Sequence, residues 1–123
     1  MPETGDRSVE VQFINNTGRD LAVGGLDLGP GCSWISSEAP SEGSTIGPYE
    51  SATWGVLANV AVGASGQVRL SIAGSTRIVF DFSNTVSGTS QCTASPTDGM
   101  QAIVQQVDTG ETNHTEFDVQ LIS

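Results

Sequence analysis

The chain has 123 residues, of which 37% are hydrophobic, and its formal net charge at pH 7 is -10. Its 4 basic residues are all arginines, too few to displace counterions from nucleic acid or to hold an anionic membrane through a polybasic segment. Nucleic acid is therefore excluded as a partner, whereas a neutral or zwitterionic surface, a carbohydrate or another protein fits the charge.

The first two predicted elements are strands joined by a turn. Apolar and polar residues alternate over 9–13, and successive side chains of a strand point to opposite faces. Residues 15–18 (NNTG) indicate a turn because Asn and Gly tolerate positive φ, and 21–28 returns as a second strand. Gly24 and Gly25 within this strand predict a bulge or a bend.

An irregular stretch rich in proline and serine follows over 29–48. A loop of this length is often functional, and a short edge strand around 33–36 is expected to interrupt it. Apolar residues return over 50–62, where Trp54 lies on the apolar face of a predicted strand.

The rest of the chain reads as strands separated by polar loops. Four further strands are predicted from the apolar pattern: 67–73, 76–82, 100–107 and 115–122. A second loop region, rich in Ser, Thr and Gly, is expected over 83–99. The last two strands form a predicted hairpin around a turn at 108–111.

These elements amount to about seven to nine strands with no convincing helix, the pattern of an all-β fold. We predict an antiparallel β-sandwich, with a small closed barrel as the alternative. Residues 1–8 are polar and predict a flexible N-terminal arm, so the sandwich is expected as a single domain over 9–123.

The chain offers little material for catalysis, and no catalytic residue, metal site or cofactor is predicted. A nucleophile needs a base, and the only histidine, His114, reads as an exposed turn residue. Asp81 stands out because phenylalanines flank it, but on a half-buried strand it points to water. Cys32 and Cys92 do not have metal-ligand spacing; an oxidising compartment would allow them to form one disulfide.

Aromatic side chains are the best candidates for a binding site, because they provide large contact areas at low entropic cost. Trp34 and Tyr49 lie in the irregular stretch, which is compatible with exposure, and for Trp34 a plug at one end of the sandwich fits equally well. Trp54 fits a core position better, and Phe82 fits either a core cap or a rim. The candidate ligand-binding residues are Trp34, Tyr49, Trp54, Phe82 and Asn84.

One order of short strings is similar to a known family. The strings are INNTGRDL at 14–21, IGP at 46–48, GASG at 63–66, VRL at 68–70 and FDFSN at 80–84, followed by the terminal hairpin. This order resembles the aegerolysins and, more distantly, the actinoporin-like cytolysins. The resemblance implies a small β-sandwich that binds sphingolipid-containing membranes and is made without a signal peptide.

The resemblance has limits that shape the functional expectation. The chain lacks the Trp- and Cys-rich segment of aegerolysins and the amphipathic N-terminal helix of actinoporins, so a non-lytic role fits better than pore formation. We expect a cytoplasmic protein, or one secreted without a signal peptide.

The leading hypothesis is a non-enzymatic recognition protein that binds a membrane sphingolipid or a glycan through loops at one end of the sandwich. A protein-interaction, structural or inhibitor module, which includes homo-oligomers, is the alternative. A sugar-binding lectin and a small enzyme using Asp or Glu are lesser alternatives.

Overall fold

The computed structural model describes residues 6–35, 39–59, 61–72, 75–85, 90–96, 99–107 and 113–122. These residues form the following strands: β1 (Asp6–Asn16), β2 (Leu21–Leu28), β3 (Ser33–Trp34), β4 (Thr45–Ile46), β5 (Ser51–Asn59), β6 (Ala64–Ile72), β7 (Ser75–Asn84), β8 (Ser90–Pro96), β9 (Gln101–Val107) and β10 (His114–Ile122). No helix in this part of the chain is long and apolar enough to cross a membrane.

The strands form two five-stranded sheets that pack as a sandwich. The first sheet has the order β3-β5-β1-β10-β9 and the second the order β4-β2-β6-β7-β8. The predicted all-β sandwich is confirmed. The pairing differs from a purely antiparallel sandwich at one place, since β1 and β10 run parallel in the middle of the first sheet. This pairing depends on which strands meet across the whole chain, and the local pattern of residues does not encode it.

The core lies between the sheets and is centred on three aromatic rings. Phe13 of the first sheet contacts Trp54 at 5.7 Å and Phe80 at 5.2 Å between ring centroids. Trp54 and Phe80 meet edge to face at 5.3 Å. These contacts join β1 and β5 to β7 of the opposite sheet, so the aromatic cluster holds the two layers together.

The first strand begins earlier than the sequence pattern predicts. β1 starts at Asp6, where the prediction placed a flexible arm over 1–8 and a strand from Val9. Arg7 and Ser8 are buried even though they are polar. Arg7 pairs with Ala58 of β5, and Ser8 lies between Leu57 of β5 and His114 of β10. Residues 1–5 lie outside the described part of the chain.

Within the described part of the chain there are ten strands, more than the seven to nine predicted, because the patterns of two strands, β4 and β8, are too weak to be recognised. β3 falls within the edge strand predicted at 33–36, and β4 is equally short. β8 lies in the predicted loop 83–99, where its inward residues Cys92 and Ala94 are too small to give a clear apolar alternation. The predicted turn at 108–111 lies outside the described residues.

The predicted bulge in β2 is confirmed. The register between β2 and β6 shifts between Val23 and Leu26, across the Gly24–Gly25 pair. The Arg69 side chain lies over this bulge, and a Cβ at Gly25 would come within 2.6 Å of its Nη1 atom. The strand can therefore bend while a long side chain crosses its outer face.

Candidate functional site

The predicted ligand-binding residues divide into exposed and interior ones. Tyr49 is 72% exposed, and Trp34 is half-buried on the edge strand β3. Trp54, Phe82 and Asn84 are at most 2% exposed, because the alternation of β5 and β7 directs them between the sheets. These three support the fold from inside, and Tyr49 is the one predicted residue that presents most of its surface to solvent.

The two remaining candidates do not form one aromatic patch. Trp34 pairs with Val56 in the middle of β5, whereas Tyr49 precedes the start of that strand. Val56 lies five residues along β5 from Ser51, which corresponds to about 17 Å of strand, and Tyr49 lies beyond the start of that strand. The site must therefore be built around Tyr49 and its own neighbours.

Tyr49 occupies a strained position in a tight turn over residues 47–50, here called the Tyr49 turn. The Glu50 amide donates to the Gly47 carbonyl at 3.1 Å, and Tyr49 has φ +64°. With Pro48 at the second position, this is a type II turn, whose third position normally holds Gly or Asn. Tyr49 is the one non-glycine residue with positive φ among the described residues. Such a conformation costs about 1–2 kcal/mol in a residue with a Cβ.

A buried asparagine ties the Tyr49 turn to the loop between β1 and β2. Asn15 is fully buried, and its Nδ2 donates to the carbonyls of Arg19 at 2.8 Å, Gly47 at 3.0 Å and Ile46 at 3.2 Å. Its Oδ1 accepts from both the amide and the hydroxyl of Thr17. One side chain therefore fixes both loops at this end of the sandwich.

The backbone adds two more bonds to the same arrangement. The Tyr49 amide donates to the Asn15 carbonyl at 2.6 Å, and the Asn15 amide donates to the Glu50 carbonyl at 2.9 Å. The Gly47 amide also donates to the Glu50 carboxylate. The strained tyrosine is thus held by its surroundings at several points, the condition under which strain persists in a folded protein.

A shallow groove of about 390 Å³ lies on the outer face of the first sheet, next to the Tyr49 turn. It is called here the first-sheet groove, and its row nearest the turn crosses four strands: Ser51, Ile14, Gln120 and Ile103. Ile14 is 37% and Ile103 45% exposed, an unusual degree for isoleucine. Polar residues of the next row, Gln12 and Gln105 among them, complete the lining.

The opposite end of the sandwich contains a buried polar network that no sequence pattern predicts. Ser8 Oγ lies 2.9 Å from His114 Nδ1, so His114 is a half-buried strand residue and not an exposed turn residue. Asn84 Nδ2 donates to the Ser8 carbonyl at 3.1 Å, and its Oδ1 accepts from Arg7 at 3.4 Å. These bonds join β1 to β7 across the two sheets.

This network does not have the geometry of a catalytic site. Ser8 and His114 have the composition of a nucleophile and its base, but Ser8 is fully buried and a substrate cannot reach its hydroxyl. Among the described residues, no group of three or more His, Cys, Asp or Glu side chains could hold a metal ion. The network therefore acts as a structural tie between the sheets.

The two cysteines are free thiols in the structure and do not form the disulfide considered from the sequence. Cys32 precedes β3, and its thiol donates to the Gly63 carbonyl at 3.3 Å. Cys92 lies in β8, opposite Phe82 of β7 and at the edge of the second sheet. Each thiol therefore has its own local surroundings.

No family model and no curated protein matches the sequence, but solved structures match the fold. IP-1A from Alcaligenes faecalis is 11% identical with a TM-score of 0.67, and the match covers 95% of this chain and 91% of that one. RahU, solved with a Tris molecule, is 9% identical with a TM-score of 0.70, covering 94% and 93%. The lipid-binding protein Nakanori is 14% identical with a TM-score of 0.70, covering 94% and 70%. These proteins have aegerolysin-like folds, so the resemblance to aegerolysins is supported at the level of the fold.

Proposed function

We propose that this protein is a non-enzymatic recognition protein that binds the surface of a sphingolipid-containing membrane through the Tyr49 turn and the first-sheet groove. The observation that carries the proposal is the exposed Tyr49 at positive φ. Glycine would satisfy the same turn without strain, so the tyrosine side chain needs a use outside the fold.

The chemistry of this end suits the headgroup region of a bilayer. Tyrosine has an apolar ring and a polar hydroxyl, and it is enriched where membranes meet water. Ile14 and Ile103 are separated by the width of one strand, β10, and expose apolar surface beside the turn. Amide side chains between and around them can hydrogen-bond to headgroups or to the amide of a sphingolipid.

The charge of the protein favours zwitterionic over anionic lipids. The net charge is -10, and exposed acids such as Asp20 and Glu50 lie at the Tyr49 end. An anionic leaflet would repel this surface. The shared fold with a protein described as lipid-binding, Nakanori, supports the same class of ligand.

Replacing the tyrosine by glycine separates binding from folding. Tyr49→Gly removes the ring and relieves the strain, so we expect weaker vesicle binding together with a free energy of unfolding higher by about 1 kcal/mol. Loss of the tyrosine ring, which becomes buried in the bilayer on binding, should lower the affinity for vesicles roughly tenfold or more. Co-sedimentation with vesicles of sphingomyelin and cholesterol, and of ceramide phosphoethanolamine, measures the first effect, and urea unfolding the second.

Matched controls make the result specific. Val62→Ser, at an exposed apolar residue beyond the far end of β5, should leave vesicle binding unchanged. Added phosphatidylserine should weaken binding of the wild-type protein. If the protein binds none of these vesicles, the lipid proposal is refuted. A protein-interaction role would then be the alternative to test.

A further inference from the structure

The outer face of the second sheet carries a separate polar groove of about 450 Å³, here called the second-sheet groove. One row of side chains crosses four neighbouring strands in direct register: Asp27, Gln67, Asp81 and Thr93. We propose that this groove is a binding site for a neutral saccharide, distinct from the membrane-binding end and independent of it.

A second polar row lies two residues along the strands. Ser65 pairs with Ser83, which pairs with Gln91. Neighbouring strands are about 4.8 Å apart, so the two rows form a grid of hydroxyl, amide and carboxylate groups at the spacing of sugar hydroxyls on one or two rings. These side chains are mostly short, and the sheet surface is therefore depressed where they lie.

Glycine keeps one edge of the groove open. The Gly29 amide donates to the Ser65 carbonyl at 3.0 Å, which brings the loop after β2 against the second row. A Cβ at Gly29 would lie 2.0 Å from Ser65 Oγ, so any side chain here would displace the hydroxyl.

One hydrogen bond orients the side chains of the first row, and they keep further donors and acceptors for a ligand. Gln67 Nε2 donates to Asp81 Oδ1 at 2.8 Å, which orients the carboxylate, and Asp81 lines the groove. Carboxylate–hydroxyl hydrogen bonds are charge-assisted and are stronger than neutral ones. Fixed side chains of this kind lose little entropy when a polyol binds.

The charge of the groove selects a neutral ligand. Asp27 Oδ2 lies 3.2 Å from Arg69 Nη2, so the charge of Arg69 is balanced by this carboxylate. The lining residues in the described part of the chain include no cation, and Asp81 adds a negative charge. Phosphorylated, sulfated or sialylated ligands would be repelled, whereas sugar hydroxyls can donate to the carboxylate and exchange bonds with the amides.

NMR titration of the full chain tests the proposal. The neutral probes are free N-acetylglucosamine and the methyl glycosides of glucose, galactose and mannose, each at millimolar concentration. Inorganic phosphate is the anionic probe. We expect at least one neutral sugar to shift backbone amides of 27–29, 65–67, 81–83 and 91–93, and phosphate to shift none of them. If no sugar shifts these amides, the proposal is overturned.

Asp81→Asn is the decisive variant because asparagine keeps the shape and the acceptor for Gln67 while removing the charge. Sugar affinity should fall roughly tenfold or more, as expected for loss of a charge-assisted bond. Asp118→Asn, an exposed acid on the outer face of the first sheet, is the matched control and should bind sugar as the wild type does. Unchanged affinity in Asp81→Asn would overturn the assignment.

The same variants distinguish this site from the membrane-binding end. Tyr49→Gly should keep sugar binding, and Asp81→Asn should keep vesicle binding, because the two grooves lie on opposite outer faces of the sandwich. Loss of both activities in either variant would contradict two independent sites. The sugar titration can therefore fail without affecting the lipid proposal, and the reverse also holds.

Discussion

Burial raises the pKa of the Cys92 thiol to about 12, and the negative charge of Asp81 adds to the shift. The thiolate is the reactive form, and a pKa of about 12 in place of the ordinary 9.0 lowers its fraction near neutral pH roughly a thousandfold. We expect iodoacetamide at pH 8 to label Cys92 far more slowly in the native protein than in urea, as followed by mass spectrometry of the peptides.

The variant Asp81→Asn refines the thiol prediction. It removes the smaller of the two causes, so the pKa of Cys92 should fall but remain above its ordinary value. Labelling should accelerate modestly and stay well below the rate in urea. Native labelling as fast as in urea would show that Cys92 is not buried.

Single residues were the hardest feature to predict from sequence. The exposure of Tyr49 was predicted correctly from its irregular surroundings, but its positive φ depends on bonds with Asn15, which lies more than thirty residues earlier in the chain. Phe82 and Asn84 end a strand, and only the packing of the opposite sheet shows that such residues are buried. Arg7 and Ser8 are polar, and no local signal marks them as interior.

At the scale of elements, the parallel pairing of β1 with β10 places like charges side by side. Glu10 lies directly opposite Glu116, with Asp118 two residues further along β10. The pKa of Glu116 is raised by partial burial and then by the carboxylates of Asp118 and Glu10. A raised carboxyl pKa favours the folded state at low pH, and this contribution is lost as pH rises from 4.5 through the raised pKa.

Removing the Glu116 charge should therefore stabilise the protein at neutral pH. We expect Glu116→Gln to raise the free energy of unfolding at pH 7 by about 0.2–1 kcal/mol, the size of a cross-strand charge pair in solvent. The gain should shrink when urea unfolding is repeated near pH 4. Glu42→Gln, at an exposed loop position, is the control, and a gain that does not depend on pH would contradict the explanation.

Elements with clear alternation were predicted well, and those without it were not. β6, β7 and β10 contain repeated large apolar residues on one face, such as Val68 and Leu70, and each overlaps its predicted strand, although β6 begins three residues earlier than predicted, at Ala64. β8 has only small inward residues, and β4 has two residues in all, so neither has enough pattern to be recognised. The position of the candidate site follows from strand order and could not be predicted locally.

At the scale of the whole molecule, each end of the sandwich is closed by one fully buried asparagine. Asn15 joins the β1–β2 loop to the Tyr49 turn, and Asn84 joins β7 to the start of β1. Ser8, the partner of Asn84, lies seven residues before Asn15 on the same strand, or about 23 Å away. The two ends share the central strand but no hydrogen bond among the described contacts, so they should behave as separate structural units.

A double-mutant cycle tests this separation. Asn15→Ala and Asn84→Ala should each lower the free energy of unfolding by about 1–3 kcal/mol, because buried partners lose their hydrogen bonds. Their effects should add to within about 0.5 kcal/mol, as for sites more than 10 Å apart. Vesicle binding, measured below the unfolding transition, should weaken in Asn15→Ala, which frees the Tyr49 turn, and persist in Asn84→Ala. Equal loss of binding in both variants would mean that overall stability governs vesicle binding, and that the local hold on Tyr49 does not.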